Sequence, residues 1–289
     1  MKKNLLFCLV ALASVASLGA CNNSSSTTIS IAASEVPHAK ILKECIKPIL
    51  EEKGYSLEVT TLDWTLQNDA VANDEYDANY FQHVPYLKTY TGSTKLYAAC
   101  KVHYEKLCLY ASNKSNLTLK AGDSIEIVDD VSNIERALSL LASKNVLTIN
   151  SSNYDADGNF TNFDTAHPTA CVTFLSGYEG CSLTCIKEAQ LCQSLADYDF
   201  GIIPGNTAMT GLGDDYASRI VFGEDASESL ISEKANIVCV KESNKDSDKT
   251  KALVEACGDS RVKTYIESTY GESVVYHFEN GLTTNFLDA

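Results

Sequence analysis

Three groups of side chains in this sequence are of types and spacings that could do chemistry. The first is a lone guanidinium. Arg136 falls in the first turn of an expected helix over residues 132–143, where a positive charge opposes the helix macrodipole and Asp or Glu would be favoured. A docked carboxylate would remove that conflict, because helix N-terminal amides and the guanidinium fork would both face the anion. Surface pairing with Asp129, Asp130 or Glu135 accounts for the placement equally well. The second group is aromatic. Trp64, the only Trp, follows one expected strand, and Phe81, His83 and Tyr86 follow another. Together they could line an apolar pocket for a ligand side chain, or they could be ordinary core.

The third group is the thiols and imidazoles. The chain has 11 Cys and five His: His38, His83, His103, His167 and His277. A Cys–His pair would make a nucleophile, yet no cysteine sits in a local nucleophile motif. His83 and His103 with nearby acids would serve metal capture, but without the tight spacing of a metal motif. Cys181, Cys185 and Cys192 lie four and seven residues apart. In a helix that spacing stacks them on one face, with Cβ atoms about 5–6 Å apart, too far for a disulfide. The thiols read as small buried hydrophobes, with bridges among Cys45, Cys100, Cys108, Cys171, Cys239 and Cys257 left open. No cofactor and no resident metal is expected.

The elements that must position these residues alternate between strand and helix. Strand patterns occupy residues 28–33, 56–62, 77–81, 95–103, 124–128, 146–149, 171–174, 199–203, 236–240 and 273–277. Helical periodicity covers the residues from Pro37 to Gly54, with a kink expected at Pro48, and then 132–143, where Ser132 and Glu135 read as a capping box. It appears again over 182–196 and in two helices after residue 240. Residues 150–167, rich in Asn, Asp, Ser and Gly, read as a surface excursion. Such alternation implies an α/β protein with largely parallel sheets, in two lobes. Ligands of such folds sit beyond the carboxyl ends of strands. Trp64, Phe81, His83, Tyr86, Arg136 and the Gly205-Asn206 pair after residues 199–203 all stand at such places, as a pocket for a small zwitterion requires.

The N-terminus reads as an address. Lys2 and Lys3 precede an apolar run over residues 5–20, short of the roughly 20 residues a spanning helix needs. It ends Leu18-Gly19-Ala20-Cys21, which looks like a bacterial lipobox, so residues 1–20 are expected to be a signal peptide and Cys21 the lipidated residue. Residues 21–28 are polar and suit a flexible tether. Setting aside Cys8 and Cys21 leaves nine of the 11 cysteines, an odd number that cannot all pair internally. The net charge is −15, and −17 once Lys2 and Lys3 are removed with the signal. That balance argues against nucleic acid, which needs a basic face.

Several of these stretches resemble the NlpA/MetQ family of methionine-binding lipoproteins. They are Ala33-Ser34-Glu35-Val36-Pro37-His38-Ala39, Asp77-Ala78-Asn79-Tyr80-Phe81-Gln82-His83-Val84-Pro85-Tyr86-Leu87 and Lys101-Val102-His103-Tyr104-Glu105, followed by Ser132-Asn133 with Arg136-Ala137-Leu138, Gly205-Asn206 and Ala235-Asn236-Ile237-Val238. The resemblance spans residues 29–275. It implies a two-lobed, periplasmic-binding-protein-like (type II) α/β fold with a ligand cleft between the lobes. Lobe I would comprise residues 29–108 plus 236–289, and lobe II residues 109–235. It implies further that Arg136 holds a substrate carboxylate, that Asn206 and Asn236 bond the α-amino and carboxylate groups, and that Trp64, Phe81, His83 and Tyr86 enclose a thioether. Pro204 stands where the family commonly has Asn, and Trp64 where Tyr is usual. The implied function is capture of an amino acid, methionine first, outside the cytoplasmic membrane for an ABC permease and its ATPase, with no chemistry of its own. Another small amino acid, a short peptide, or metal binding are the alternatives.

Overall fold

The computed structural model describes residues 27–287; the expected signal peptide, Cys21 and most of the tether lie outside them. Strand β1 (Thr28–Ala33) turns Ile29, Ile31 and Ala33 into the core of the first lobe. The helical run after it is not one regular helix. Segments Glu35–Ala39 and Leu42–Ile46 are π-wound, and only α1 (Lys47–Glu52) is regular. Pro48 has no N–H to offer the carbonyl four residues back, and its ring crowds that carbonyl. The turn before it widens, so that Lys47 N–H reaches Leu42 O. The expected kink is therefore a widened turn.

Next come β2 (Ser56–Thr61), α2 (Trp64–Ala72), β3 (Ala78–His83), α3 (Val84–Leu87) and β4 (Leu96–Glu105). Every residue of β3 and β4 is buried. Lys106 and Leu107 then carry the chain across to β5 (Cys108–Ala111) in the second lobe. That lobe continues with β6 (Ser124–Val128), α4 (Val131–Ser143), β7 (Leu147–Ile149), β8 (Val172–Phe174), β9 (Ser182–Ile186), α5 (Glu188–Ser194), β10 (Phe200–Ile203), α6 (Gly205–Gly211) and β11 (Ile220–Gly223). A second crossing leads through α7 (Glu228–Lys234) to β12 (Asn236–Lys241), α8 (Asp248–Cys257), α9 (Ser260–Tyr270) and β13 (Val274–Asn280).

The strands form a six-stranded sheet in the order β13-β4-β12-β3-β1-β2, a five-stranded sheet in the order β11-β5-β10-β6-β9, and an antiparallel pair β7-β8. The expectation of largely parallel sheets needs correcting, because the two larger sheets are mixed. Only β1 with β2 and β3, and β6 with β9 and β10, run parallel. Strand β12 re-enters the first sheet from the cleft side and inserts between β3 and β4. It therefore runs antiparallel to both, and Asn236 faces His83 on one neighbour and His103 on the other. The crossing geometry, not the helical connections, sets that direction.

Three local expectations also change. Residues 182–196 are not one helix: 182–186 form β9, paired parallel with β6 as Leu183↔Ile125 and Cys185↔Ile127. Sheet pairing outweighed the helical spacing, and Cys181, Cys185 and Cys192 share no helix face. The N-cap of α4 is Asp130, whose carboxylate accepts Asn133 N–H at 3.0 Å, while Ser132 merely donates to that carboxylate. With the cap at Asp130 instead of Ser132, Arg136 sits two residues further from the N-cap than expected, beyond the first turn, where the macrodipole argument weakens. Finally, the 150–167 excursion is partly core. Phe160 is buried against the second lobe, with Tyr154 and Phe163 packed on it.

Candidate ligand-binding cleft

The cleft lies where the two sheets face each other across the crossings. Its walls are Trp64, Phe81, Gln82, His83, Tyr86, Glu105 and Asn236 from the first lobe, and Asn133, Arg136, Glu188, Pro204, Gly205 and Asn206 from the second. They surround about 490 Å3 of atom-free space, partly continuous with solvent. All seven residues singled out from the sequence, Trp64, Phe81, His83, Tyr86, Arg136, Asn206 and Asn236, lie on these walls. Those not anticipated as contacts are Gln82, Glu105, Asn133, Glu188 and Gly205.

The aromatic wall is built by one short turn. Trp64 opens α2 behind the Asp63 cap, and Tyr86 lies in α3, immediately after β3 delivers Phe81. Tyr86 packs edge-on against both partners, with centroids 5.1 Å from Trp64 and 5.8 Å from Phe81. His83 caps α3: its Nδ1 accepts Tyr86 N–H at 3.1 Å. The proton is therefore on Nε2, which points at Asn133 Oδ1 across the cleft, 3.4 Å away. Burial, reinforced by the charges of Arg136 and Lys234, lowers His83 to about 3. It is a neutral donor linking the two lobes.

Arg136 does not pair with Asp129, Asp130 or Glu135. Its Nε and Nη2 hold Glu224 at 2.7 and 2.6 Å, and Nη2 also donates to Glu105 O at 2.8 Å. Burial opposes the charge, but the Glu224 pair more than compensates, so Arg136 stays above its ordinary value. Glu224 itself is pushed up by burial and pulled below the usual range by Arg136. Its Oε2 accepts Tyr104 O–H at 2.7 Å and Leu107 N–H at 2.9 Å. Glu224 follows β11 on the second crossing and Leu107 lies on the first, so this carboxylate ties both crossings to the guanidinium. The hydrogen bonds that Arg136 makes to Glu224 and Glu105 use Nε and Nη2, which leaves the two N–H groups of Nη1 for a ligand.

Behind the cleft lies a buried polar chain. His103 Nε2 donates to Glu105 Oε1 at 2.6 Å, and its Nδ1 meets the Tyr80 hydroxyl. His38 Nε2 lies 3.0 Å from Asn236 Oδ1 and 3.6 Å from Glu105 Oε1. Burial lowers His38 to about 4 and His103 to about 3, and raises Glu105. His38, His103 and Glu105 form a three-residue group whose potential metal-ligating atoms lie within 4.8 Å of one another, and His83 is not in it. Because His103 and Glu105 already satisfy each other by hydrogen bonding, the group serves to position Glu105 and Asn236.

The nine cysteines outside residues 1–26 are all free thiols. Burial raises Cys108 and Cys192 to about 11 and Cys185 and Cys239 to about 12. Thiolate is thus scarce at neutral pH for these four.

The sequence profile of the NlpA lipoprotein family matches residues 29–161 and 181–278. The chain belongs to the NlpA lipoprotein family. That family consists of substrate-binding lipoproteins rather than enzymes. The methionine-binding lipoprotein MetQ of Bacillus subtilis is 29% identical over 255 residues, covering 86% of this chain and 87% of its own. A lipoprotein structure from Ruminococcus gnavus superposes with a TM-score of 0.74 at 31% identity, covering 87% of this chain and 99% of that one. A nutrient-binding protein from Burkholderia cenocepacia, solved bound to methionine, shares the fold with a TM-score of 0.73, at 23% identity and over 86% of this chain and all of that one. The NlpA profile breaks at residues 162–180, within and just after the excursion, and ends at residue 278. Beyond that point Phe286 tucks into the first lobe under Lys101, whose Nζ lies 4.5 Å from the ring centroid. No helix among the described residues is long and apolar enough to cross a membrane.

Proposed function

We propose that this protein captures methionine outside the cytoplasmic membrane and delivers it to an ABC permease and its ATPase, held at the membrane by a lipid on Cys21. The observation that carries the ligand class is the joint wall of one cleft. A partly uncommitted guanidinium, Arg136, stands on one lobe. The ring set Trp64, Phe81 and Tyr86, whose faces and edges suit a thioether, stands on the other. Arg136 would take the carboxylate through Nη1, with Asn206 and Asn236 supplying further hydrogen bonds and His83 closing the side-chain end. The lobes, residues 29–108 plus 236–289 and residues 109–235 as read from the sequence, with Cys108 itself paired in β5 of the second, would close over the ligand by hinging at the two crossings. The His83–Asn133 contact is one bond that closure makes across the gap. The family relationship and the name of the Bacillus subtilis relative support methionine first. Another small amino acid or a short peptide is the alternative.

Trp64 is the only Trp of the chain and lies on the cleft wall, so its emission reports occupancy directly. Refolding from denaturant to strip bound ligand, followed by titration with each amino acid, should give saturable fluorescence changes with methionine among the tightest. Mass spectrometry of the protein as purified should release the same compound. No response to any amino acid or short peptide would refute this reading.

A further inference from the structure

The charges around the cleft are unequal in a way the residues named so far do not explain. Arg136 is the only Lys or Arg on its wall, and Glu224 already neutralises it. Glu188 faces the same space with no such partner. It is the first residue of α5 and nine-tenths buried. Its Oε1 takes the Thr207 hydroxyl, and among the described residues no donor reaches Oε2. The charged groups acting on it are Asp130, Glu105 and Asp63, all carboxylates. Glu188 also borders an adjoining chamber of about 390 Å3, lined in part by Ser34, Glu35, Asp63 and Trp64 and by no basic residue. Burial, with those neighbouring carboxylates, lifts Glu188 to about 7. A largely buried carboxylate with one oxygen lacking a protein donor favours a cation or strong donor brought to it.

Two other acceptors on the wall are already engaged. Asn236 Oδ1 faces His38 Nε2, so its amide turns N–H donors toward the ligand. Glu105 Oε1 takes His103 Nε2–H, and on its other side Gly205 stands so close that an added Cβ would lie 3.1 Å from Oε2. The field therefore has two ends: Arg136 and Lys234 act at the His83 side, and a set of carboxylates acts at Glu188. A zwitterion aligned between them completes both.

We propose that Glu188 is the residue that receives the ligand's cationic nitrogen, and so determines the preference for ammonium-bearing ligands. This rests on the amino-acid reading above and deepens it. Neutral replacements of the ammonium, such as the 2-hydroxy analogue of methionine, keep the carboxylate and thioether but leave Glu188 unanswered.

The test is calorimetry of wild type and Glu188→Gln with L-methionine and with that 2-hydroxy acid, after checking both proteins by circular dichroism. Wild type should prefer methionine. Glu188→Gln should lower methionine affinity about 10- to 100-fold, the range of a lost charge-assisted hydrogen bond, while the hydroxy acid changes by less than about 3-fold. The preference then collapses. If Glu188→Gln fails to fold, Glu188→Asp serves, and its preference must also fall because the carboxylate is withdrawn by one methylene. A variant that binds methionine with wild-type preference overturns the Glu188 assignment alone. Wild-type protein that binds neither compound, nor any other amino acid, overturns the ligand reading and this inference with it.

Discussion

Replacing Glu224 by alanine should be more damaging than its distance from the aromatic wall suggests. Its side chain and that of Arg136 are 6% and 7% exposed, so both charges are almost wholly desolvated. Alanine removes the acceptor of Arg136 Nε and of Nη2, along with the acceptor of Tyr104 O–H and Leu107 N–H. What remains around the guanidinium is the single Glu105 carbonyl at 2.8 Å. Breaking a buried pair from one side costs about 3–5 kcal/mol, since the surviving charge stays buried. For a chain of this size that corresponds to a fall in melting temperature of roughly 6–20 °C. Arg136→Ala should cost less, because an orphaned Glu224 can take up a proton whereas arginine cannot give one away. The double variant Arg136→Met/Glu224→Leu should recover part of the loss, and not all, because Tyr104 and Leu107 still lack their acceptor. Urea unfolding of wild type, Glu224→Ala, Arg136→Ala and Arg136→Ala/Glu224→Ala closes the cycle, with a coupling energy of at least about 2 kcal/mol expected. Additive losses, with coupling below about 0.5 kcal/mol, would show that the pair is not the unit described, and the account of how Arg136 is held would be withdrawn.

Acid should destabilise the protein before its ordinary carboxylates titrate. His38, His83 and His103 are held at about 4, 3 and 3 in the folded state against 6.5 unfolded. They stay neutral when folded while the unfolded chain takes up protons, so their stability is full above 6.5 and is lost as pH falls. Between pH 6.5 and 5 each contributes up to about 2 kcal/mol of loss. Glu188, raised to about 7, works in the opposite sense, since its contribution is present at low pH and lost as pH rises through 7. Scanning calorimetry at closely spaced pH values should show the melting temperature dropping from pH 6.5 to 5; a flat profile would contradict the buried neutral histidines. Gly205→Ala should lose about 1–3 kcal/mol, because its Cβ would stand 3.0 Å from Glu105 Cβ and 3.3 Å from Lys106 O, on the crossing itself. Wild-type stability in a thermal melt would mean that this approach is looser than it looks.

Much of the architecture is legible along the chain because local periodicity and turn chemistry survive folding. Residues 124–128 are a strand as expected, and the helix expected over 132–143 starts one residue earlier. Failures occur where a long-range partner decides. The segment 182–186 reads as helix until β6 pairs with it. The short strands β5 and β11 carry few residues each, and they owe their form to pairing across the second sheet. The same division runs through the cleft. Its aromatics and Arg136 announce themselves by type and by position after strands. Glu105, Glu188 and Glu224 do not, because a glutamate in sequence looks the same whether it will be solvated or buried.

The sequence by itself pointed to two α/β lobes and, by side-chain type and position after strands, which are local properties, to Trp64, Phe81, His83, Tyr86, Arg136 and Asn206; Asn236 came in only through the family resemblance. Tertiary structure alone decided what each of them is free to do. Arg136 lies in a helix 88 residues before Glu224, yet they meet at 2.6 Å. His38 reaches Asn236 across 198 residues of chain. Those pairings depend on where the crossings set the lobes, and burial of the paired groups makes them strong. Whether a charged group is committed to its own protein or left to a ligand is a property of its neighbours in space, and one chain read in order does not contain them.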